Sequence, residues 1–385
     1  MNIVIATGIF PPDIGGPATY SKSLAEEFFA RGHRVTVVTY SDAAPSRHDP
    51  RYTLRCIPRF IPKGLRHMVY AYYIVRSSIS ADVMYAQDPV SAGVPVYIAS
   101  LIIRKKFILK VVGDYAWEQS IQRFGVTDLL DNFLVKKYGF RIQMLRWIQS
   151  LVARKACRVI VPSMYLKSVV QTWGVSEDYI AVVYNAVHVP DIPYTKEEAK
   201  KELNLKGTIL LSIGRLVPWK GFRMLIELMP TLVAQKNDIR LIIAGDGPDR
   251  EELQKRVYDI NMREYITFLG AVPKEKLMRY ILSADIFLLN TGYEGFSHQL
   301  LEVLTIPIPI ITTTAGGNKE IMQSEDEADF LAVEYNNADA WERVIMRVLG
   351  DASLYAQLSR HTGYDNHIYT TDDMVAKTLQ VFYDA

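Results

Sequence analysis

The 385-residue sequence contains two cysteines and no apolar run long enough to span a bilayer; its longest apolar stretch lies near Ala92–Ile103. Cys56 and Cys157 are far apart and match no metal-ligand spacing, so we expect two small, buried hydrophobic residues in a reducing compartment. The first ten residues carry no basic leader, and they predict a strand in place of a signal peptide. These absences favour a cytoplasmic protein.

Several catalytic motifs are also missing. The chain has no Walker loop, H-E-x-x-H or G-x-S-x-G, and no G-x-G-x-x-G follows the first predicted strand, which argues against a nicotinamide enzyme. It has no D-x-D either, although enzymes that hold a diphosphate through a metal usually supply closely spaced carboxylates. The sequence therefore predicts no metal and no cofactor, and it favours cationic side chains and a helix dipole for any diphosphate.

The most informative segment that is present is EGFSHQLLE, which follows a buried-looking apolar run and is bracketed by Glu294 and Glu302. Gly295 and the apolar helical pattern after it predict a strand, a tight turn and a helix start, a geometry that points backbone N–H groups at an anion. Glu302 comes about two helical turns after Glu294, near the same face. An anion site between two carboxylates suits a ligand with a central diphosphate and hydroxyls at both ends, such as a nucleotide-sugar.

Three further segments carry candidate site residues. Arg215 and Lys220 lie in SIGRLVPWKGF, directly after a predicted strand and between Gly214 and Gly221, where two cations can neutralise a diphosphate. Asp114 follows another predicted strand, and it is expected to position an acceptor hydroxyl, to stabilise positive charge at the anomeric carbon, or to cap the next helix. The pair Gly15 and Gly16 precedes a predicted helix and can bring backbone close to a ligand.

Strand and helix patterns alternate along the chain, which is typical of doubly wound parallel sheets. We expect an α/β protein with two Rossmann-like domains facing each other across a cleft, the ligand lying beyond the carboxyl ends of the strands. The predicted boundaries are 1–187 for an acceptor domain, 188–207 for a linker, 208–368 for a donor domain, and 369–385 for a terminal helix packing back on the first domain.

Charge is distributed unevenly between the two halves. Residues 1–190 carry 23 Lys and Arg against 13 Asp and Glu, a net charge of +10, and the remainder carries a net charge of −8. Within the basic half, Lys136–Arg158 and Lys63–Arg76 interleave basic with large apolar residues. Each is either an ordinary amphipathic helix with a core-facing side or a helix that contacts an anionic membrane surface, so a peripheral location on the inner membrane face stays open. No nucleic-acid partner is expected.

Taken in chain order, GGPATYSKSLAEEFFARGHRVTVVT, VPSMYLKSVV, SIGRLVPWKGF, LIIAGDGPDREEL, EGFSHQLLE and TTTAGGNKEI resemble the retaining glycosyltransferases of the GT-B fold, group 1 or family 4. The resemblance implies transfer of a sugar from a nucleoside-diphosphate sugar, UDP- or GDP-linked, to a glycan, lipid-linked or small-molecule acceptor. Two positions depart from the family pattern: Thr305-Ile306-Pro307 stands where the family commonly has a Gly, and Asp114 where a His is frequent.

The resemblance also assigns roles to residues. It implies that Glu294 contacts the donor sugar, that Glu302 binds ribose hydroxyls, and that Arg215 and Lys220 hold the diphosphate. The other donor-binding residues that it implies lie in both predicted domains: Gly15, Gly16, Gly214, Val272, Gly295, Phe296, Ser297 and His298. Two alternatives remain open: a nucleotide-sugar epimerase or hydrolase on the same fold, and a non-catalytic nucleotide-sugar-binding protein at a membrane surface.

Overall fold

A computed structural model describes residues 1–13, 16–42, 49–187, 193–323, 331–359 and 369–385. The chain divides into two compact units. The first consists of Met1–Asn185 together with Thr371–Ala385, and the second of Ala186–Thr370. The terminal segment therefore belongs to the first unit.

The first unit contains a parallel sheet of seven strands among the described residues, in the order β3-β2-β1-β4-β5-β6-β7. The strands are β1 (Asn2–Thr7), β2 (Arg34–Tyr40), β3 (Thr53–Ile57), β4 (Val83–Ala86), β5 (Ile108–Lys110), β6 (Arg158–Val161) and β7 (Ile180–Val182). Most of their residues are buried, because helices cover both faces of the sheet.

The helices of the first unit alternate with these strands. They are α1 (Gly16–Ala30), α2 (Lys63–Ser78), α3 (Gly93–Ile103), α4 (Tyr115–Phe124), α5 (Leu130–Val135), α6 (Phe140–Lys155), α7 (Met164–Thr172) and the terminal α16 (Thr371–Tyr383). From β1 to β3 the strands are added toward one edge of the sheet, and from β4 to β7 toward the other edge. Because the crossovers are right-handed, α1 lies on one face of the sheet and α2, α3 and α6 lie on the other. Helix α2 packs against α3, and α3 against α6, whereas α16 packs against α1.

The second unit contains a parallel sheet of six strands within its described residues, in the order β10-β9-β8-β11-β12-β13. The strands are β8 (Thr208–Ile213), β9 (Ile239–Ala244), β10 (Ile266–Gly270), β11 (Ile286–Leu289), β12 (Ile310–Thr312) and β13 (Leu331–Ala332). The helices are α8 (Lys196–Glu202), α9 (Phe222–Gln235), α10 (Arg250–Asp259), α11 (Lys274–Ser283), α12 (His298–Leu304), α13 (Asn318–Gln323), α14 (Ala338–Gly350) and α15 (Ala352–Leu358). The predicted α/β class with two parallel-sheet domains is confirmed.

Local sequence explains where several helices begin. Thr195 and Glu198 form a capping box at the start of α8, in which each side chain accepts from the backbone of the other. The hydroxyl of Ser163 accepts from the Leu166 amide at the start of α7. Helix α8 is then anchored to the second unit, because Asp285 accepts from Lys200 at 2.8 Å and pairs with Lys196 at 2.7 Å.

Both cysteines are free and partly buried. Among the helices of the described residues, none combines the length and apolar character needed to cross a lipid bilayer.

Candidate active site

The loop after β8 presents two cations at the carboxyl edge of the second sheet. Gly214 donates its amide to the Ala244 carbonyl at 3.0 Å, which holds the loop against the end of β9. A short 3-10 helix, Pro218–Lys220, follows and ends at Gly221, whose φ is +60°. A Cβ on Gly221 would lie 2.3 Å from Nδ2 of Asn290, so this position requires glycine.

The loop after β11 is bound to the same region. The buried amide of Asn290 donates to the Gly221 carbonyl at 3.1 Å, and the Thr291 hydroxyl donates to the Trp219 carbonyl at 3.3 Å. The Gly292 amide donates to that same carbonyl at 2.7 Å. These three bonds fix the segment that carries Glu294 against the segment that carries Lys220.

Lys220 and Glu294 form an ion pair between Nζ and Oε1, and each side chain is only about a tenth exposed. Removing one member of such a pair leaves the other charge desolvated and unmatched. Glu294 is therefore held in one place by a cation on the neighbouring loop. The sequence predicted both residues separately, and the structure places them in direct contact.

Arg215 lies on the first of these loops, and its side chain is exposed. No described carboxylate lies within ion-pair distance of it, so its guanidinium is available for a bidentate contact with phosphate oxygens. Together Arg215 and Lys220 place two positive charges on one loop, and only that of Lys220 is balanced by a protein carboxylate.

The segment from Gly295 to His298 leads into α12. A Cβ on Gly317 would lie 2.2 Å from the Gly295 carbonyl oxygen, so α13 approaches this segment closely. Phe296 and Ser297 are buried, His298 is half-buried, and the Ser297 hydroxyl accepts from the Leu300 amide at 3.2 Å. The expected tight turn between strand and helix is wrong: eight residues separate β11 from α12, because Asn290 and Thr291 first bind the Lys220 loop.

Glu302 lies on α12, 3.3 Å from the ammonium of Lys274 at the start of α11. Its side chain is about a quarter exposed, so the carboxylate reaches solvent beside its partner. Val272 is half-buried in the short connection between β10 and α11, two residues before Lys274. Glu302 and Val272 are thus on neighbouring parts of the same sheet edge.

The remaining predicted residues belong to the first unit. Asp114 is the N-cap of α4, and its Oδ1 accepts from the Trp117 amide at 2.9 Å. The carboxyl is fully buried, which raises the pKa of Asp114, while the Trp117 hydrogen bond opposes that rise. Oδ2 accepts no hydrogen bond from the described residues. Gly16 is the first residue of α1, and Gly15 lies outside the described residues.

Sequence reasoning missed Asn290 and Asn318. Asn290 follows β11 and is completely buried, and its position after an apolar strand was the one available signal. Asn318 opens α13 beside the Gly295 contact, and neither polar atom of its buried side chain has a partner among the described residues. A buried, unpaired amide beside this loop is available to a bound ligand.

Within the described residues, no group of three or more His, Cys, Asp or Glu side chains is placed to hold a metal ion.

Comparison with known proteins agrees with the fold and with the motifs. A model of "Glycosyl transferases group 1" matches residues 194–362, and a model of "Glycosyltransferase Family 4" matches residues 14–189. Two parallel-sheet units with this pair of matches define a GT-B glycosyltransferase. The chain belongs to the group 1 / family 4 glycosyltransferases.

The matches to individual relatives have low sequence identity but extend over most of both chains. The chain is similar to an uncharacterised glycosyltransferase of Methanocaldococcus jannaschii, with 25% identity covering 99% of this chain and 98% of the relative. It is also similar to the GPI3 subunit of the phosphatidylinositol N-acetylglucosaminyltransferase of Saccharomyces cerevisiae, with 24% identity covering 84% of this chain and 70% of the relative. Among solved structures, the HepE protein of Anabaena in complex with UDP and glucose superposes with a TM-score of 0.80 at 17% identity, over the whole of both chains.

Proposed function

We propose that this glycosyltransferase moves a sugar from a UDP- or GDP-linked donor to a hydroxyl of a lipid-linked or glycan acceptor, with retention of the anomeric configuration and without a metal. The observation that carries the proposal is the buried Lys220–Glu294 pair, with the exposed Arg215 on the same loop as Lys220. Cations at a strand's carboxyl end suit a diphosphate, and a fixed carboxylate beside them suits sugar hydroxyls.

The proposed roles follow from the charges that change during the reaction. The bond between the anomeric carbon and the diphosphate oxygen breaks, and negative charge grows on the leaving diphosphate. Arg215 and Lys220 stabilise that charge as a preorganised electrostatic site. Glu294 accepts hydrogen bonds from the donor sugar, Glu302 accepts them from the ribose, and the backbone of Gly214, Val272 and Gly295–His298 completes donor binding.

The acceptor hydroxyl forms the new bond on the face that the diphosphate leaves, and its proton passes to the departing phosphate oxygen. Asp114 positions that hydroxyl in our proposal, and Gly16 approaches the phosphates. Two similar proteins support the choice of substrates. The HepE structure holds UDP and glucose, and the yeast relative is named as a phosphatidylinositol N-acetylglucosaminyltransferase subunit.

The test begins with the purified chain in EDTA. Nucleoside diphosphates are screened by thermal shift, since a ligand that binds only the folded state raises the melting temperature. Radiolabelled sugars of the nucleotide that binds are then incubated with and without membrane-lipid and glycan acceptors. We expect an acceptor-dependent product whose anomeric proton coupling matches that of the donor.

Other results would decide against the proposal. Sugar isomerisation without an acceptor would assign the site to an epimerase, and release of free sugar regardless of acceptor would assign it to a hydrolase. An inverted anomeric centre would rule out the retaining mechanism. Activity that EDTA abolishes and a divalent ion restores would rule out a metal-free site. Binding without turnover across the acceptors would favour a non-catalytic protein.

A further inference from the structure

Exposed apolar side chains are concentrated in the first unit. Twenty large hydrophobic side chains are exposed among the described residues, and all but Tyr194 and Tyr258 belong to that unit. Large exposed apolar surface beyond scattered single residues marks a protein or membrane interaction site. The distribution therefore identifies the first unit as the one with an external partner of apolar character.

Nine of these side chains lie on three adjacent helices of one sheet face, α2, α3 and α6, which we call the α2–α3–α6 layer. On α2 the exposed residues are Leu65, Met68 and Tyr72. On α3 they are Ile98, Leu101 and Ile102, and on α6 they are Phe140, Met144 and Trp147. The spacing on α2 and α6 of three or four residues puts each set on one side of its helix, facing away from the sheet.

The charge of this layer has one sign and comes from α2 and α6, since α3 has no charged residue. Their sequences contain seven Lys and Arg and no Asp or Glu. Arg76 and Arg141 are exposed beside the apolar stripes, as are Arg154 and Lys155 near the end of α6. In the described part of the chain, no salt bridge neutralises any of these cations. The layer is therefore apolar on all three helices, and the charges on α2 and α6 are all positive.

We propose that the α2–α3–α6 layer docks this enzyme on an anionic lipid bilayer. Helices that lie in a membrane interface combine Trp, Phe and Leu with Lys and Arg and lack acidic residues on the binding side. Cations near an anionic leaflet add about fivefold each to binding. A second copy of this chain is a poorer occupant, because twofold pairing of the layer would place the same arginines and lysines opposite one another.

One tryptophan makes docking directly observable. All five tryptophans lie in described parts of the chain, and Trp147 is 59% exposed whereas the other four are buried. In our proposal Trp147 enters the lipid interface, so its emission shifts to shorter wavelength and is quenched by brominated lipid. Trp147→Phe should abolish that signal and leave vesicle binding nearly unchanged.

The experiment measures co-sedimentation of the full chain with vesicles of phosphatidylcholine alone or with about 30% phosphatidylglycerol. We expect binding only to the anionic vesicles, weakening as salt is raised. Tyr72→Ser/Phe140→Ser should lower partitioning about tenfold through lost apolar contact. Arg76→Gln/Arg141→Gln should lower it by about fivefold for each cation.

Matched controls use equally exposed residues outside the layer. Tyr258→Ser/Tyr383→Ser removes two aromatic rings that are 62% and 63% exposed, and Lys255→Gln/Arg263→Gln removes two exposed cations of the second unit. Both controls should bind like the wild type, and circular dichroism checks that every variant is folded. No sugar transfer is measured, so failure of the proposed reaction does not affect this result.

Three outcomes would overturn the proposal. The first is no binding to anionic vesicles at low salt. The second is binding that the layer variants and the controls alter equally, or that leaves Trp147 emission unchanged. The third is a dimer without lipid, seen by sedimentation velocity, that the layer variants dissociate, because that would assign the layer to a second copy of the chain.

Discussion

At the scale of single residues, the ion pair between Lys220 and Glu294 sets the chemistry of the candidate site. The pair joins residues 74 positions apart in the chain, and within the described residues neither forms a second salt bridge. Arg215 stands outside the pair and is exposed. Replacing Lys220 should therefore lower stability more than replacing Arg215 does, whereas replacing either cation should lower turnover.

We predict that Arg215→Ala and Lys220→Ala each lower turnover about a hundredfold or more, because each removes positive charge that faces the leaving diphosphate. Arg215→Ala should leave the free energy of unfolding within about 0.5 kcal/mol of wild type. Lys220→Ala should lower it by about 3 kcal/mol, since Glu294 is left buried and unpaired. Steady-state kinetics and urea unfolding provide the measurements, with Lys255→Ala as an exposed control.

A different pattern would contradict these roles. Wild-type turnover in the double variant Arg215→Ala/Lys220→Ala would show that the diphosphate is held elsewhere. Equal loss of stability in the two single variants would show that the buried pair does not distinguish them.

At the scale of elements, Asn290 joins the loops after β8 and β11. Its Nδ2 donates to Gly221 at 3.1 Å and to Oδ1 of Asn336 at 2.9 Å, and its Oδ1 accepts from the Asn336 amide at 3.1 Å. These bonds set the distance between the loop that follows β8 and the loop that follows β11. A residue that positions Glu294 and Lys220 in this way should affect catalysis without contacting substrate.

We predict that Asn290→Ala lowers kcat about tenfold or more and lowers the free energy of unfolding by roughly 2 kcal/mol, because buried partners lose their hydrogen bonds. Asn290→Asp keeps the acceptor for the Asn336 amide but places a second oxygen against the Gly221 carbonyl and Asn336 Oδ1, so it should recover no stability. Asn132→Ala, at an exposed position on α5, is the control. Unchanged kcat in a destabilised Asn290→Ala protein would reduce Asn290 to a structural role.

Asp249 is the residue before α10, and its side chain makes no capping hydrogen bond. Burial, with a smaller contribution from Glu252, raises the pKa of Asp249 to about 6 from 3.8. The folded protein then keeps a proton that the unfolded chain releases, so the free energy of unfolding falls as pH rises from about 4 to 6.

We therefore predict that Asp249→Asn is more stable than wild type at pH 7 by roughly 1 kcal/mol, a gain limited by solvent screening of a half-exposed group, and that the gain disappears near pH 4. Urea unfolding at the two pH values measures the difference. Asp259→Asn, exposed at the end of the same helix, is the control variant measured beside it. An equal effect of Asp249→Asn at both pH values would refute the linkage.

The elements also show what the sequence can and cannot predict. The apolar runs Ile239–Ala244 and Ile286–Leu289 in the sequence predict strands that coincide with β9 and β11, because runs buried on both faces leave little choice. The apolar run 308–312 predicts a strand from Ile308, whereas β12 begins at Ile310, since Pro309 has no amide to donate to a ladder. The contact of Lys220 with Glu294, and its support by Asn290, depend on tertiary structure that no local pattern encodes.

At the scale of the whole molecule, the terminal helix α16 belongs to the first unit. The ring of Phe382 lies 5.6 Å from that of Phe28 and 5.0 Å from that of Tyr85, centroid to centroid, and it is buried. The last residues of the chain thus complete the core of the unit that contains its first residues.

We predict that Phe382→Ala lowers the free energy of unfolding of the first unit by about 3 kcal/mol through the cavity that it leaves. Amide hydrogen exchange, followed peptide by peptide, should show reduced protection in β1 and β4 and unchanged protection in β8 and β9. Tyr383→Ala, the exposed neighbour, is the control. An equal loss of protection in both units would contradict this assignment of α16.

The central claim is that side chains of the second unit hold a nucleoside diphosphate without a metal, and calorimetric titration of UDP and GDP in EDTA tests it most directly. We predict that the wild type binds one of them and that Arg215→Ala and Lys220→Ala each weaken binding about tenfold or more, through loss of a charge-assisted hydrogen bond. Glu294→Gln should bind the free diphosphate at least as tightly as the wild type, because it releases Lys220. Binding that requires a divalent ion, or that all three variants leave unchanged, would contradict the claim.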